Sequence, residues 1–278
     1  MPPATLYVVA TPLGHLGDLS PRAAELLRTV PVVAAEDTRR VRGLLAHLDA
    51  HPKVLSFHAH SPERRVEALL EILREGRDVA LVTDAGTPAI SDPGAVLVAA
   101  ARQAGFHVVP VPGPAAVTAA LSAAGFPADR YLFLGFVPRK GKERDRLLRI
   151  AAAAEWTVVF YEAANRLGAL LDDLAALAGP DRRAVVAREL TKVHEEIRAG
   201  TLAELAARYG QHAPPGEVTV VLEGAGTAEA PAVNREDMEQ RAARLLAGGL
   251  SRRDAVQQLV AETSLPRNEA YRIVMSLP

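Results

Sequence analysis

Residues 81–94 read LVTDAGTPAISDPG, and how this stretch is read decides the fold. The segment VALVT (79–83) that leads into it is short, apolar and rich in β-branched residues, the pattern of a strand buried on both faces. It halts at Asp84, after which Gly86, Pro88, Pro93 and Gly94 crowd into one loop. Glycine permits positive φ and close backbone approach, while proline fixes φ and removes a donor. GAVLVAAARQAG (94–105) then resumes as a helix. A buried strand, a rigid loop and a helix form one step of a parallel sheet covered by helices.

The same step recurs on both sides. LYVVA (6–10), VVAA (32–35), VLSFH (54–58) and HVVPV (107–111) read as strands. Helical periods lie between them, from PRAAELLRTV (21–30) to PAAVTAALSAAG (114–125). Ser20 followed by Pro21 predicts an N-cap and a first helical residue, and Gly76 predicts a helix stop. Past Gly125-Phe126-Pro127 the strand candidates lengthen: YLFLGFV (131–137), TVVFYE (157–162), AVVARE (184–189), VHEEIRA (193–199) and EVTVVLEG (217–224). VHEEIRA follows AVVARE too closely for a helical crossover, which predicts an antiparallel pair. The expected architecture is α/β. Residues 1–125 form a domain with a mainly parallel sheet and 126–224 a second domain with a mixed sheet. Residues 225–234 are a small-residue linker, and 235–278 a small helical domain of three short helices. Ser251 with Asp254 predicts a capping box, and Pro266 the opening of the last helix.

Composition narrows the function. The chain has 278 residues, 49% hydrophobic and 23% charged, with a formal net charge of −1 and no cysteine. Disulfides, thiolate nucleophiles and thiolate metal sites are therefore excluded. The N-terminal run has no basic segment before it, so no signal peptide is expected, and no stretch approaches the roughly 20 apolar residues of a membrane span. The near-zero charge argues against a generally basic nucleic-acid binder but leaves room for local patches.

Ligands of open parallel sheets bind beyond the carboxyl ends of the strands. Three loops of like composition sit there: TPLGHLGD (11–18), TDAGTPAISDPG (83–94) and PVPGPAAVT (110–118). One alone is an ordinary tight turn; three at one edge point to a pre-shaped ligand wall. No G-x-G-x-x-G follows a strand, and no G-x-S-x-G is present. GFVPRKGK (135–142) has one residue too many between its glycines for a P-loop, and Glu143 stands where Ser or Thr belongs. His58 and His60 share a strand face but lack a nearby carboxylate, so a metal is the weaker reading and none is expected. AAEDTRRVR (34–42) sets Glu36, Asp37, Arg39 and Arg40 just past a strand end, the pattern of either an acid–base and phosphate-gripping cluster or a charged helix start, and taken alone it favours the helix start, where acids suit the first turn. ARELTKVHEE (187–196) similarly ends an apolar strand in Arg188, Glu189 and Lys192. PRKGKERDRLLR (138–149) places Arg139, Lys140 and Lys142 together beside Phe136, a pattern of either a solvated face or a grip on a phosphate backbone.

Taken in order, LYVVATPLGHLGDLSPRA, AAEDTR, LVTDAGTPAISDPG, VVPVPGPAA, FLGFVPRKGKER, VVFYE, ARELTK and GEVTVVLEG resemble the ribosomal RNA small-subunit methyltransferase I family of the tetrapyrrole methylase superfamily. The resemblance covers about residues 5–224 and looks to extend through the helical tail. It implies a cytoplasmic, homodimeric two-domain methyltransferase with S-adenosylmethionine in the cleft between domains. The implied reaction is 2′-O-methylation of a cytidine in small-subunit (16S) ribosomal RNA, free or within the assembled subunit. The implied cofactor residues are Pro12, Asp84, Ala85, Gly86, Ile90, Ala115, Ala116, Tyr161, Glu162, Leu190 and Thr219. His15, Ala59 and Ala163-Ala164-Asn165 depart from the usual pattern, which has asparagine, an acid and Ser-Pro-His there. A ribose hydroxyl must lose its proton to attack a methyl group, and Asp37, Glu189 and Lys192 are the candidate acceptors by position. Arg39, Arg139, Lys140 and Lys142 are the candidate RNA contacts. Two other readings stand beside this one: a C-methyltransferase of a precorrin-type tetrapyrrole, and a non-catalytic nucleic-acid-binding protein.

Overall fold

A computed structural model describes residues 4–58, 61–210, 216–226, 235–263 and 267–277. The chain divides into two compact units, Met1–Ala225 and Gly226–Pro278, and the first holds two five-stranded sheets. No helix among the described residues is long and apolar enough to cross a membrane.

The first sheet comprises β1 (Thr5–Val9), β2 (Val32–Ala35), β3 (Lys53–Ser56), β4 (Val79–Val82) and β5 (His107–Val111). Its order is β3-β2-β4-β1-β5 and every pairing is parallel, as the alternation of strands and helices predicts. Between the strands run α1 (Pro21–Thr29), α2 (Thr38–His47), α3 (Glu63–Arg74) and α4 (Gly94–Gln103). Successive strand residues point to opposite faces. Val33, Ala35, Ala80 and Val82 meet Leu27, Val41 and Leu44 of α1 and α2. Val32, Ala34, Val79 and Leu81 meet Leu69, Leu73 and Leu97 of α3 and α4. The chain leaves β1 toward one face and the neighbouring β4 toward the other, so a crevice opens where the two loops part.

α5 (Ala116–Ala124) ends at Gly125, whose φ of 72° is the left-handed stop that glycine provides. This helix follows β5 but packs on the second sheet: Val117, Ala120 and Leu121 meet Val159, Val185, Ala187 and Val221. The second sheet is built of β6 (Tyr131–Phe136), β7 (Thr157–Ala163), β8 (Arg183–Arg188), β9 (Glu196–Thr201) and β10 (Glu217–Leu222). Its order is β6-β7-β10-β8-β9; β6 and β7 pair in parallel and the other pairs are antiparallel. α6 (Lys142–Ala153), α7 (Leu167–Ala178) and α8 (Leu202–Gly210) supply Leu148, Leu170, Leu174 and Leu205 to its other face.

The expected β8–β9 hairpin is present, but β9 starts at Glu196 rather than Val193. Residues before it close a turn in which Lys192 N–H donates to the Glu189 carbonyl at 2.9 Å and Thr191 N–H to the Glu195 carboxylate at 2.6 Å. Ser20 caps α1 by accepting from Ala23 N–H at 3.1 Å, with Pro21 in the first turn as expected. Asp92 plays the part of a staple inside the loop after β4, its Oδ1 accepting from Ala89 N–H and Gly94 N–H at 2.7 Å each.

The second unit holds α9 (Arg235–Ala247), α10 (Arg252–Thr263) and α11 (Arg267–Ser276) around Ala242, Leu259, Ile273 and Val274. Ser251 Oγ and Asp254 form the expected box, with Asp254 N–H donating to Ser251 at 3.2 Å. Pro266, His60, Ala59, His212 and most of the linker lie outside the described residues.

Candidate active site

A cleft of about 570 Å³ lies within the first unit, beyond the carboxyl ends of β1, β2 and β4. One wall comes from the first sheet's loops: Leu13, Glu36, Arg40 and the run Thr83–Thr87, then Ile90, Ser91 and Asp92. Ala115 and Ala116 at the start of α5 join it. The facing wall comes from the second sheet: Phe136, Tyr161, Ala187, Glu189, Leu190, Lys192 and Gly216–Thr219.

The three glycine- and proline-rich loops are tied together. Thr11 and Gly86 exchange both backbone hydrogen bonds, at 2.9 and 3.0 Å, and Ala10 N–H donates to the Val111 carbonyl at 3.1 Å. Gly86 has a φ of 86° and faces Leu13 and the Pro114 carbonyl, so a side chain there would be both strained and crowded. The loop after β1 also reaches the second sheet. His15 N–H donates to Thr191 Oγ1 at 3.0 Å, and a Cβ on Gly14 would lie 2.3 Å from Lys192 Cγ. His15 itself does what asparagine would do at a cap: its Nδ1 accepts from Gly17 N–H at 3.1 Å.

Backbone strain gathers here too. Among the described residues, Asp49, Ala89, Ser91, Glu189 and Thr191 are the non-glycine residues with positive φ. All but Asp49 lie in the two loops that supply opposite walls, and left-handed non-glycine backbone costs on the order of 1–3 kcal/mol per residue. Such strain is tolerated where the surrounding structure holds a loop in a working shape.

The electrostatics are lopsided. Glu36, Asp84, Asp92, Glu189 and Glu217 line the cleft against only Arg40 and Lys192. Asp84 accepts from Asp37 N–H at 2.9 Å and stands 3.7 Å from the Arg40 guanidinium. Glu189 accepts from Lys192 Nζ at 3.0 Å. Burial, then the Asp84 charge, push the Glu36 carboxyl above its usual range against one hydrogen bond from Thr83 at 3.2 Å. Burial likewise raises the Tyr161 phenol, partly offset by the Val117 amide at the start of α5. Tyr161 is braced by Phe133 and Phe136, with ring centroids 4.9 and 5.4 Å away. Asp92 Oδ2 is buried in the cleft wall with no partner, an uncommon state for a carboxylate oxygen.

Most expected site residues meet in this cleft: Asp84, Ala85, Gly86, Ile90, Ala115, Ala116, Tyr161, Leu190 and Thr219, with Glu189 and Lys192. Pro12 does not line it, although its neighbours anchor the first loop. Glu162 faces the other way. It follows Tyr161 on β7, so strand alternation turns it into the core beneath α7, where it is fully buried and pairs with Arg166. Asp37 is spent as the N-cap of α2. Its Oδ1 accepts from Arg39 N–H at 2.8 Å, and the Arg39 side-chain hydrogen bonds hold its carboxyl down to about 2. Arg139, Lys140 and Lys142 are exposed and form no ion pair among the described residues, whereas Arg144 of the same run binds Asp173 and the Pro138 carbonyl. Phe136, Ser91, Asp92 and Glu217 line the cleft without having been singled out as ligand contacts, although Ser91 and Asp92 belong to the glycine- and proline-rich loop 83–94; Glu36 and Arg40 line it as members of the charged string AAEDTRRVR.

The model of the tetrapyrrole (corrin/porphyrin) methylases matches residues 5–206. A ribosomal RNA small subunit methyltransferase I of Synechocystis sp. is 44% identical over 98% of this chain and 98% of its own length. One from Xylella fastidiosa is 45% identical over 97% and 98%, and one from Escherichia coli O157:H7 is 43% identical over 87% and 83%. Among solved structures, a cobalt precorrin-4 methyltransferase has a TM-score of 0.62 at 21% identity, covering 79% of this chain and 94% of its own. A uroporphyrin-III C-methyltransferase from Thermus thermophilus complexed with S-adenosyl homocysteine scores 0.58 at 22% identity, covering 79% and 97%. At those identities the solved structures speak for the fold alone.

Proposed function

This chain belongs to the ribosomal RNA small subunit methyltransferase I family, within the tetrapyrrole methylases, and we propose that it transfers a methyl group from S-adenosylmethionine to small-subunit ribosomal RNA, at the 2′-hydroxyl of a cytidine. The observation that carries the reading is the chemistry of the cleft. Five carboxylate residues face two cations around the apolar side chains of Leu13, Ile90, Ala115, Ala116 and Leu190. A cationic sulfonium and ammonium suit that field, and an adenine ring suits the apolar patches. When bound, the cofactor supplies an electrophilic methyl group on a good leaving group, so the protein has chiefly to orient, desolvate and manage a proton.

The residues assigned to that work are the loop from Asp84 to Ile90, the first turn of α5 at Ala115 and Ala116, and Tyr161, Leu190 and Thr219 opposite. Pro12 lies outside the cleft, next to Thr11, which ties the first loop to Gly86. Glu189 and Lys192 pair on the second wall, where Lys192 is the more exposed and suits a phosphate near the mouth. Arg39, Arg139, Lys140 and Lys142, all exposed, are assigned to the RNA backbone. A homodimer in the cytoplasm pooling two such patches fits a chain whose own formal charge is −1.

The test is methyl transfer from labelled S-adenosylmethionine to small ribosomal subunits that lack the modification, with the nucleoside identified by mass spectrometry. A 2′-O-methylcytidine is the expected product. Tight cofactor binding with no transfer to RNA, and transfer instead to a tetrapyrrole, would overturn the reading.

A further inference from the structure

The carboxylates of the cleft are not equivalent. Both Asp84 oxygens are engaged, by the Asp37 amide at 2.9 Å and by Arg40 at 3.7 Å. Asp92 Oδ1 is committed to two backbone amides while its Oδ2 is buried out of reach of an acceptor, and Glu189 Oε1 is committed to Lys192. Glu217 stands exposed at the start of β10. Glu36 differs in its combination of features: it is partly buried, and its hydrogen bond comes from a neutral hydroxyl rather than from a backbone amide or a cation. It is half-buried at the end of β2, and its Oε2 accepts from the Thr83 hydroxyl at 3.2 Å. Its other oxygen accepts no hydrogen bond from a described residue. The charged groups that face it are Asp84, Asp92 and Glu217, all negative, while the nearby cation Arg40 is committed to Asp84.

We propose that Glu36 is the catalytic base of the cleft and accepts the proton of the acceptor hydroxyl. The inference deepens the methyl-transfer reading above and rests on it. A carboxylate oxygen that lacks a donor, in a partly dry and negative setting, holds a proton more tightly than a solvated or paired one. That is the property a hydroxyl acceptor requires of its base. In the step, the acceptor O–H bond breaks and the proton passes to Glu36. The freed oxygen pair forms the new O–C bond, the C–S pair returns to sulfur, and the proton then leaves Glu36 for water. Thr83 is a positioning residue, since its hydroxyl holds the Glu36 carboxylate at the cleft wall.

Glu36→Gln keeps the shape and the Thr83 contact but removes the proton acceptor. Wild type and variant are compared for cofactor Kd by calorimetry, for melting temperature, and for turnover on unmodified small subunits between pH 5 and 9. The expected result is a loss of about 100-fold or more in turnover, with cofactor Kd held within about threefold. A melting temperature at neutral pH that is unchanged or raised is also expected, because the variant relieves a desolvated charge. Wild-type turnover should fall on the acid side through a pKa above the ordinary glutamate range, and the carboxyl resonance that titrates there in 13C spectra should vanish in the variant. Turnover of Glu36→Gln within threefold of wild type, with the acid limb retained, would overturn the assignment. A fall in turnover matched by a lower melting temperature and lost cofactor binding would overturn it too, as the mark of a structural role. If the wild type itself transfers no methyl to RNA, it is the parent reading that fails.

Discussion

At the scale of single residues, the cleft depends on side chains that are absent as much as on those present. Gly14 allows the loop after β1 to lie against Lys192 and Thr191, where a Cβ would meet Lys192 Cγ at 2.3 Å, Thr191 Oγ1 at 3.1 Å and the Leu190 carbonyl at 3.3 Å. Gly216 does the same for Glu189, with a φ of 93° and the Glu189 carboxylate 2.0 Å from where its Cβ would be. Overpacking of this kind costs about 1–3 kcal/mol. Gly14→Ala should therefore push the two walls apart and weaken S-adenosylmethionine binding by about tenfold, at roughly 1.4 kcal/mol per decade. Isothermal calorimetry checks this, and an unchanged Kd would show that the contact between these loops does not set the cleft. The pair Glu36 and Asp37 makes a related point. Both stood in one charged string in the sequence, and position put Asp37, with Glu189 and Lys192, among the candidate bases but not Glu36. Folding gives Asp37 to a helix end and to Arg39, and leaves Glu36 on the cleft. Which of two adjacent acids is spent on a cap depends on where the helix starts, and that boundary is the least legible feature of a sequence.

At the scale of elements, capping and alternation explain what was legible. Ser20-Pro21, Gly76 and Gly125 marked helix ends, and each sits where expected because the physics of a helix end is local. Ser20→Ala removes the acceptor of Ala23 N–H and should cost about 1 kcal/mol, a fall in melting temperature of roughly 2–4 °C for a unit of this size. Alternation also shows why the FYE end of β7 was only half read. Tyr161 and Glu162 are neighbours in sequence, but a strand sends one to the cleft and the other to the core. The β8–β9 hairpin carries a clearer charge device. Glu196 on β9 receives Arg188 from β8, Arg198 from its own strand and Arg208 from α8, at 2.6, 3.3 and 3.0 Å. The Arg188 hydrogen bond is the leading cause that lowers its carboxyl from 4.5 to about 2. The folded value lies below the unfolded one, so the stabilisation is complete above pH 4.5 and is lost as the pH falls toward 2. Glu196→Gln should accordingly melt below the wild type at pH 7, and the gap should close as the pH falls through that window. A gap that stays constant with pH would mean that the arginines do not stabilise the charged form.

At the scale of the whole molecule, the alternation of strands and helices conveyed the parallel sheet, yet the cleft belongs to neither sheet. It arises because α5 leaves the first sheet and packs on the second, which brings Tyr161, Ala187 and Thr219 to face the loops after β2 and β4. No local pattern encodes that approach, and so Phe136 and Glu217 stayed hidden as ligand contacts while the glycine and proline loops did not. Charge is distributed with the same division of labour: acids line the cleft, while Arg139 and Lys140 in the loop before α6 and Lys142 at its first residue form no ion pair among the described residues. If that loop grips single-stranded phosphates, replacing Arg139, Lys140 and Lys142 with alanine removes up to three contacts, each worth about 0.7 in the slope of log K against log salt. The slope for RNA binding should then fall by about two, affinity should drop with little change in nucleotide preference, and cofactor Kd should hold, because none of the three residues lines the cleft. Binding measured across a salt series decides the matter. An unaltered slope would place the RNA on another surface, while a slope that falls together with cofactor affinity would mean that the loop supports the cleft rather than the substrate.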